Sequence, residues 1–347
     1  MASDTPGSHG SQAARDDLLP SRVWVENAGT EAKPQEPADT MSLSAASALF
    51  RENFGKLSQQ AFTGVCKEFL SPTSYRATIP GGFAYDAFNA KAKLQPHSIM
   101  RMLEFARIVS WYDPASERPR TFMDMDKLDS VFFMVSLKVK FSEEVYNPAL
   151  EKRPAHINSE VTFLGNMSFT SKDHLYVGES GDSHLLEGDA QFVFIDLMSR
   201  KPTTPPDWFR EKYAREVRSG GEPLIVPTLH VPESVTVLED TYSIAPSDLD
   251  PNMHVNWTNY VRLYMDSLIK WHVRTYGFET NGDPFRRVKT LQQNFRGESR
   301  LGDTLNVSFW QNKTNQDKFH FLVRKSSRVI NECTMEFYPQ EKRSSKL

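Results

Sequence analysis

The 347-residue sequence predicts an α+β fold of two lobes, each an antiparallel sheet curved around one long helix. Three observations predict it. Two stretches, 97–112 and 256–275, carry apolar residues at helical spacing. Each is preceded by one strand pattern and followed by four, an order whose apolar faces must close on the helix. Between the two series lies VRSGGEPLIVPTLHVPES (217–234), whose Gly-Gly pair and three prolines read as a linker.

Residues 1–41 are rich in Ala, Ser, Pro, Gly and acids without periodicity, and are expected to be disordered. Their carboxylates outnumber Arg15, Arg22 and Lys33, which argues against a mitochondrial transit peptide. Residues 42–72 read as a helical lead-in. The first lobe is assigned to 73–213. YRATIPGGFAYDAF opens it as a strand with a Gly-Gly bend. In HSIMRMLEFARIVSWY (97–112), Ile99, Met102, Leu103, Ala106 and Val109 share one helix face. VFFMVSLKVKF (131–141) alternates through Val131, Phe133, Val135, Leu137, Val139 and Phe141, and HINSEVTFLGNMSF (156–169), HLYVGES (174–180) and AQFVFIDLM (190–198) follow as strands.

After a linker at 214–234, the second lobe covers 235–340 and begins with the strand VTVLEDTYSI (235–244). Its helix sets Tyr260, Leu263, Tyr264, Leu268 and Trp271 on one side and stops at Gly277. RVKTLQQNF, TLNVSFWQN, KFHFLVR and RVINECTMEFY supply four more strands. Architecture is duplicated although residue identity between the halves is slight.

With 39% hydrophobic and 12% aromatic residues the chain can bury a substantial core. The net charge of −3, with both signs interspersed, argues against nucleic acid or an anionic membrane as partner. No apolar run approaches the roughly 18 residues of a membrane span. Cys66 and Cys333 stand in dissimilar contexts, which suggests a reducing, intracellular setting with no disulfide framework, no metal site and no cofactor.

The densest chemistry is SDLDPNMHVNWTNY (247–260), at the mouth of the second helix. Asp and Asn are favoured in turns and at helix N-caps, where their oxygens accept orphan backbone N–H groups. That reading accounts for one or two of the polar residues and leaves His254 unexplained. The same setting suits acyl transfer: N-terminal amides can hold an oxyanion, and a carboxylate beside an imidazole can move a proton. There is no Gly-x-Ser-x-Gly elbow and no phosphate-binding glycine loop. Arg286, Arg287, Lys289, Arg296 and Arg300 read either as contacts for coenzyme phosphates or as a solvated strand face.

SDLDPNMHVNWTNYVRLYMDS resembles the active-site segment of the hotdog-fold thioesterases, closest to the plant and bacterial acyl-ACP thioesterases. NFRGESRLGDTL (294–305) resembles the strand of that family in which an aromatic, here Phe295, precedes a catalytic Glu by three residues. FAYDAF, LEFAR and FVFIDLMSRKPTTPP extend the resemblance over about 73–340. It implies a double hotdog, an acyl-CoA or acyl-ACP substrate, and catalytic residues at Asp250, Asn252, His254 and Glu298. In the roles it implies, Glu298 and His254 activate water, Asp250 orients the site and Asn252 binds the thioester carbonyl. Direct attack by Asp250 stays open. Asn256, Trp257 and Tyr260 are expected to touch substrate.

Two positions depart from the family pattern. Ser299 stands where plant enzymes carry Cys, and Trp257 where the second Asn of HVNN is expected. In the first lobe Phe88, Ala90 and Ala92 fall roughly where Asp250, Asn252 and His254 sit, so that lobe is expected to be non-catalytic, supplying fold, a pseudo-dimer interface and the acyl pocket. A monomeric pseudo-dimer and a homodimer both fit.

Two other functions remain: a hotdog enoyl-CoA hydratase, whose Asp and His follow a different spacing, and a non-catalytic acyl-thioester binder. The last three residues, Ser345, Lys346 and Leu347, match the peroxisomal import signal read by its receptor. The expected location is therefore peroxisomal, with the cytoplasm as alternative.

Overall fold

Among the described residues, eleven strands form one antiparallel sheet in the order β1-β2-β4-β5-β6-β3-β8-β11-β10-β9-β7. The computed structural model describes residues 64–111, 121–196, 198–217, 221–278 and 282–340. The disorder expected for 1–41, the lead-in up to residue 63 and the tail 341–347 with Ser345, Lys346 and Leu347 lie outside them.

The first half contributes β1 (Cys66–Ser71), β2 (Ser74–Ile79), α1 (Pro96–Trp111), β3 (Ser130–Phe141), β4 (Ala155–Leu164), β5 (Ser168–Val177), β6 (Ser183–Asp196) and the short α2 (Asp207–Tyr213). The second half contributes β7 (Leu238–Ser243), α3 (Trp257–Tyr276), β8 (Val288–Phe295), β9 (Thr304–Gln311), β10 (Lys318–Lys325) and β11 (Arg328–Phe337). Setting β1 aside, the halves have the same strand order read in opposite directions. They meet where β3 pairs with β8, from Ser136 opposite Asn294 to Lys140 opposite Thr290.

Two elements differ from expectation. Cys66–Ser71 is a strand, paired with β2, where a helical lead-in was expected. The run 156–169 is not one strand. It breaks at Gly165, whose amide donates to the Ser168 carbonyl at 2.8 Å, so β4 and β5 form a hairpin. The turn signal is the Gly165-Asn166 pair, set between the apolar Leu164 and Met167.

Each long helix contributes buried residues to the same core as the sheet. From α1 these residues include Ile99, Met100, Leu103 and Ala106; from α3, Val261, Leu263, Tyr264 and Leu268. The helix α3 begins at the N-cap Asn256 and ends at Gly277, whose φ of 79° suits glycine. The linker takes no regular structure over 221–234 and runs along the sheet on the side away from the helices. Polar side chains of the strands hold its backbone. The Ser136 hydroxyl donates to the Leu224 carbonyl at 3.0 Å, the Leu224 amide donates to Gln191 Oε1 at 2.9 Å, and Asn294 Nδ2 donates to the Val226 carbonyl at 3.0 Å. These partners explain why such polar groups can be buried there.

Candidate active site

The loop before α3 is folded by its own polar side chains. Leu249 and Val255 form an isolated bridge, and between them Asp250 Oδ1 accepts the backbone amides of Asn252 at 2.8 Å and His254 at 3.2 Å. The Asp250 amide donates back to the His254 carbonyl at 2.8 Å. A carboxylate at the head of such a turn replaces backbone partners that a tight loop cannot supply. Met253 takes the left-handed conformation at φ 62° and is half exposed at the tip. Asn256 caps the helix: its Oδ1 accepts the Thr258 amide at 3.0 Å.

Glu298 arrives from the segment after β8. Its Oε2 lies 3.2 Å from His254 Nε2, and its Oε1 accepts a hydrogen bond from Arg200 Nη2 at 3.1 Å. Arg300 reaches Oε2 at 3.9 Å. The adjacent Val255 amide donates to the Ser299 carbonyl at 2.8 Å, which ties the two segments together. Residues 44 positions apart thus form one site.

Of the other sequence-predicted residues, Asn256 has both ends of its amide engaged. Its Nδ2 donates to Glu104 Oε2 at 2.8 Å while Oδ1 holds the cap. Tyr260 is buried, and its hydroxyl is 2.7 Å from Ser299 Oγ. Trp257 is partly exposed and lies edge-on to Phe295, with ring centres 6.4 Å apart. The strand cations are matched by acids: Arg286 with Asp317, Arg287 with Glu143, Lys289 with Glu336 and Arg296 with Glu332.

Burial pushes the Asp250 carboxyl up to about 6, against the amides of His254 and Asn252 and with the Glu298 charge adding to it. Burial also holds His254 below its ordinary value. Glu298 opposes that shift, and Arg300 and Arg200 reinforce it. A neutral imidazole beside an acidic partner is the state a proton acceptor needs near neutral pH.

Two site residues were not found by sequence reasoning, and both come from the first half. Glu104 on α1 holds Asn256, and burial pushes its carboxyl up to about 7, with the Asn256 amide opposing and the Asp250 charge adding. Arg200, at φ 57° in the turn after β6, lies 4.9 Å from the centre of the Phe133 ring as it reaches Glu298. Nothing in the Ser-Arg-Lys sequence around it pointed it at residue 298.

The first half repeats the loop itself. Phe88 and Leu94 form the matching bridge, Asn89 Oδ1 accepts the amides of Lys91 at 2.9 Å and Lys93 at 3.1 Å, and the Asn89 amide donates to the Lys93 carbonyl at 2.9 Å. Ala92 matches Met253, with φ 55°. The positions equivalent to Asp250, Asn252 and His254 are therefore Asn89, Lys91 and Lys93. The expected equivalence to Phe88, Ala90 and Ala92 is off by one residue, because only the hydrogen-bond register fixes it. Lys93 pairs with Asp283. The repeated loop carries neither a carboxylate nor an imidazole at these positions.

The chain matches no family profile and no curated protein. Among solved structures it is similar to the 12:0-ACP thioesterase from Umbellularia californica, at 14% identity and a TM-score of 0.53, over 77% of this chain and 94% of that one. It is also similar to an acyl-ACP thioesterase from Bacteroides thetaiotaomicron, at 16% identity and a TM-score of 0.50, over 76% of this chain and 98% of that one. This chain shares the fold of these thioesterases. Nearly the whole of each of those chains is spanned, so the likeness covers both halves and the joint between them.

Proposed function

We propose that the protein is an acyl-thioester hydrolase built as a double hotdog, each half of the sheet wrapped around its long helix, with one working site per chain. The observation that carries this reading is the contact of His254 Nε2 with Glu298 Oε2 at 3.2 Å, beside a loop pinned by Asp250.

His254 and Glu298 take a proton from water as its oxygen attacks the thioester carbonyl carbon, and the proton then passes to the departing thiolate. Asp250 acts by holding the backbone of Asn252 and His254, so its role is to position the loop. The Asn252 side chain is the group assigned to the carbonyl oxygen, since the Asn252 backbone amide is held by Asp250 and the Thr258 amide by Asn256. Arg200 fixes Glu298 through the oxygen that His254 does not use.

The test is release of free thiol from acyl-CoA and acyl-ACP of graded length by the purified full chain, alongside Glu298→Gln. Turnover that falls at least about a hundredfold in the variant is expected. Hydration of enoyl-CoA without thiol release, or binding without turnover, would overturn the proposal.

A further inference from the structure

The two halves share a strand register, and this allows their cores to be compared residue by residue. In the second half a row crosses the helix-facing side of the sheet: Leu238 opposite Phe309, Phe309 opposite Phe321, and Phe321 opposite Cys333. Phe321 packs against Tyr264 of α3 with ring centres 4.8 Å apart, which fixes that side as the helix side. Phe319, two residues along β10, lies on the same side.

The joint at Phe141–Leu186 and Phe295–Asn331 aligns the halves. Carried across it, the same row in the first half reads Tyr75 opposite Ser159, Ser159 opposite Asp173, and Asp173 opposite Gly188. Ser171 takes the place of Phe319. On the helix above, Arg107 takes the place of Leu268, by the same spacing of 161 residues that relates Asn89 to Asp250. Three phenylalanines are thus matched by serine, aspartate and serine, and a leucine by arginine, at the centre of a fully covered layer.

Arg107 and Asp173 form an ion pair with side chains only 5% and 1% exposed. Among the described residues, Arg107 Nε and Nη1, Asp173 Oδ1 and the hydroxyls of Ser171 and Ser110 have no hydrogen-bond partner, and the Tyr75 hydroxyl, facing Ser159 and Trp111, has only those weak side-chain contacts. Buried polar groups are ordinarily satisfied, so a concentration of unsatisfied ones on one face marks a place built to receive polar atoms. The layer adjoins the candidate site. Arg107 follows Glu104 by one helical turn, and its guanidinium lies 5.8 Å from the centre of the Trp257 ring.

We infer that this layer is the acyl-recognition end of the proposed thioesterase site, and that it selects acyl groups bearing a neutral oxygen function, a hydroxyl or a carbonyl, over plain alkyl chains. The inference rests on the thioesterase reading. A neutral group is specified because Asp173 already balances Arg107, so an added carboxylate would leave an uncompensated buried charge. Both donors and acceptors are on offer, as a hydroxyl requires.

The experiment compares kcat/KM for hexanoyl-, octanoyl- and dodecanoyl-CoA with their ω-hydroxy counterparts, and with suberoyl-CoA as the anionic probe. The comparison is repeated on a Ser159→Ala, Ser171→Ala double variant and on Ser159→Ala alone. In parallel, binding of free ω-hydroxyoctanoate and octanoate is measured by calorimetry, which needs no turnover. At one or more lengths the hydroxy substrate is expected to be preferred at least about tenfold, and the ratio of hydroxy to plain kcat/KM should fall toward one in the variants. Equal turnover of plain and hydroxylated substrates, or suberoyl-CoA as the best of the set, overturns the inference and leaves the thioesterase reading standing. No turnover with selective binding of the hydroxy acid overturns the thioesterase reading and keeps the layer's ligand. A layer that serves only to hold water gives no selectivity in either measurement, and that also overturns it.

Discussion

Arg200 and Glu298 join the two halves of the chain at the candidate site: the guanidinium of one donates to the carboxylate of the other at 3.1 Å, while His254 contacts the second oxygen. The pair is about one-third and one-quarter exposed, so its value lies in geometry more than in stability. Arg200→Met should lower kcat/KM roughly tenfold by loosening Glu298. The Arg200 charge also helps hold His254 below its ordinary value, so removing it raises the imidazole. The acidic limb of the pH–rate profile should therefore move to higher pH. A profile that keeps its midpoint while activity falls would remove Arg200 from the site.

Ser299 directly follows Glu298 in the chain. Its hydroxyl is buried against Tyr260, so Ser299→Ala strands the tyrosine hydroxyl and should cost about 1–2 kcal/mol in a urea melt. Turnover should stay within about threefold of the parent, against a loss of about a hundredfold or more for Glu298→Gln. Equal losses from the two variants would contradict the assigned roles.

Glu104 offers a test that needs no substrate. Its folded-state carboxyl, pushed up to about 7, lies above its ordinary value of 4.5, so ionising it works against the fold. Its contribution to stability is fully present below the ordinary value and is lost as pH rises through about 7. Glu104→Gln keeps an oxygen for the Asn256 amide and removes that loss. The variant and parent should unfold at similar temperatures near pH 4. At pH 8 the variant should be more stable, by on the order of 2–3 kcal/mol. A stability gap independent of pH would show that the carboxyl titrates normally.

Lys93 stands in the repeated loop where His254 stands in the loop before α3. Lys93→Ala should leave kcat/KM within about twofold and reduce stability by less than about 1 kcal/mol, since it and Asp283 are 27% and 32% exposed. A large loss of turnover measured under the same assay would show that the first loop takes part in the reaction.

How much of this could be read in the sequence depended on how local the signal was. α1 was placed to within one residue by the spacing of Ile99, Leu103 and Ala106, and the end of α3 by Gly277. The hairpin at Gly165-Asn166 was missed although that pair is a turn signal, because the apolar Leu164 and Met167 on either side of it look like continuing strand. Asp250, Asn252, His254 and Glu298 were singled out through a resemblance carried by short motifs. Glu104 and Arg200 were not, because each meets a partner about a hundred or more residues away in the other half, and such pairs leave no mark along the chain. The buried polar layer was hidden for the same reason. Ser159 and Asp173 look like the outward positions of alternating strands until the register shows which side they face.

The joint at β3 and β8 bears on how such a protein can diverge. In a two-fold dimer of identical subunits, exchanging a core phenylalanine for serine weakens both copies at once, and the loss doubles. Here the copies are carried on one chain. Phe309, Phe319 and Phe321 keep the second half tightly filled while the matching positions of the first are polar. A covalent tether turns symmetry from a constraint into a reserve: one copy can keep the ordered scaffold while mutation explores the other.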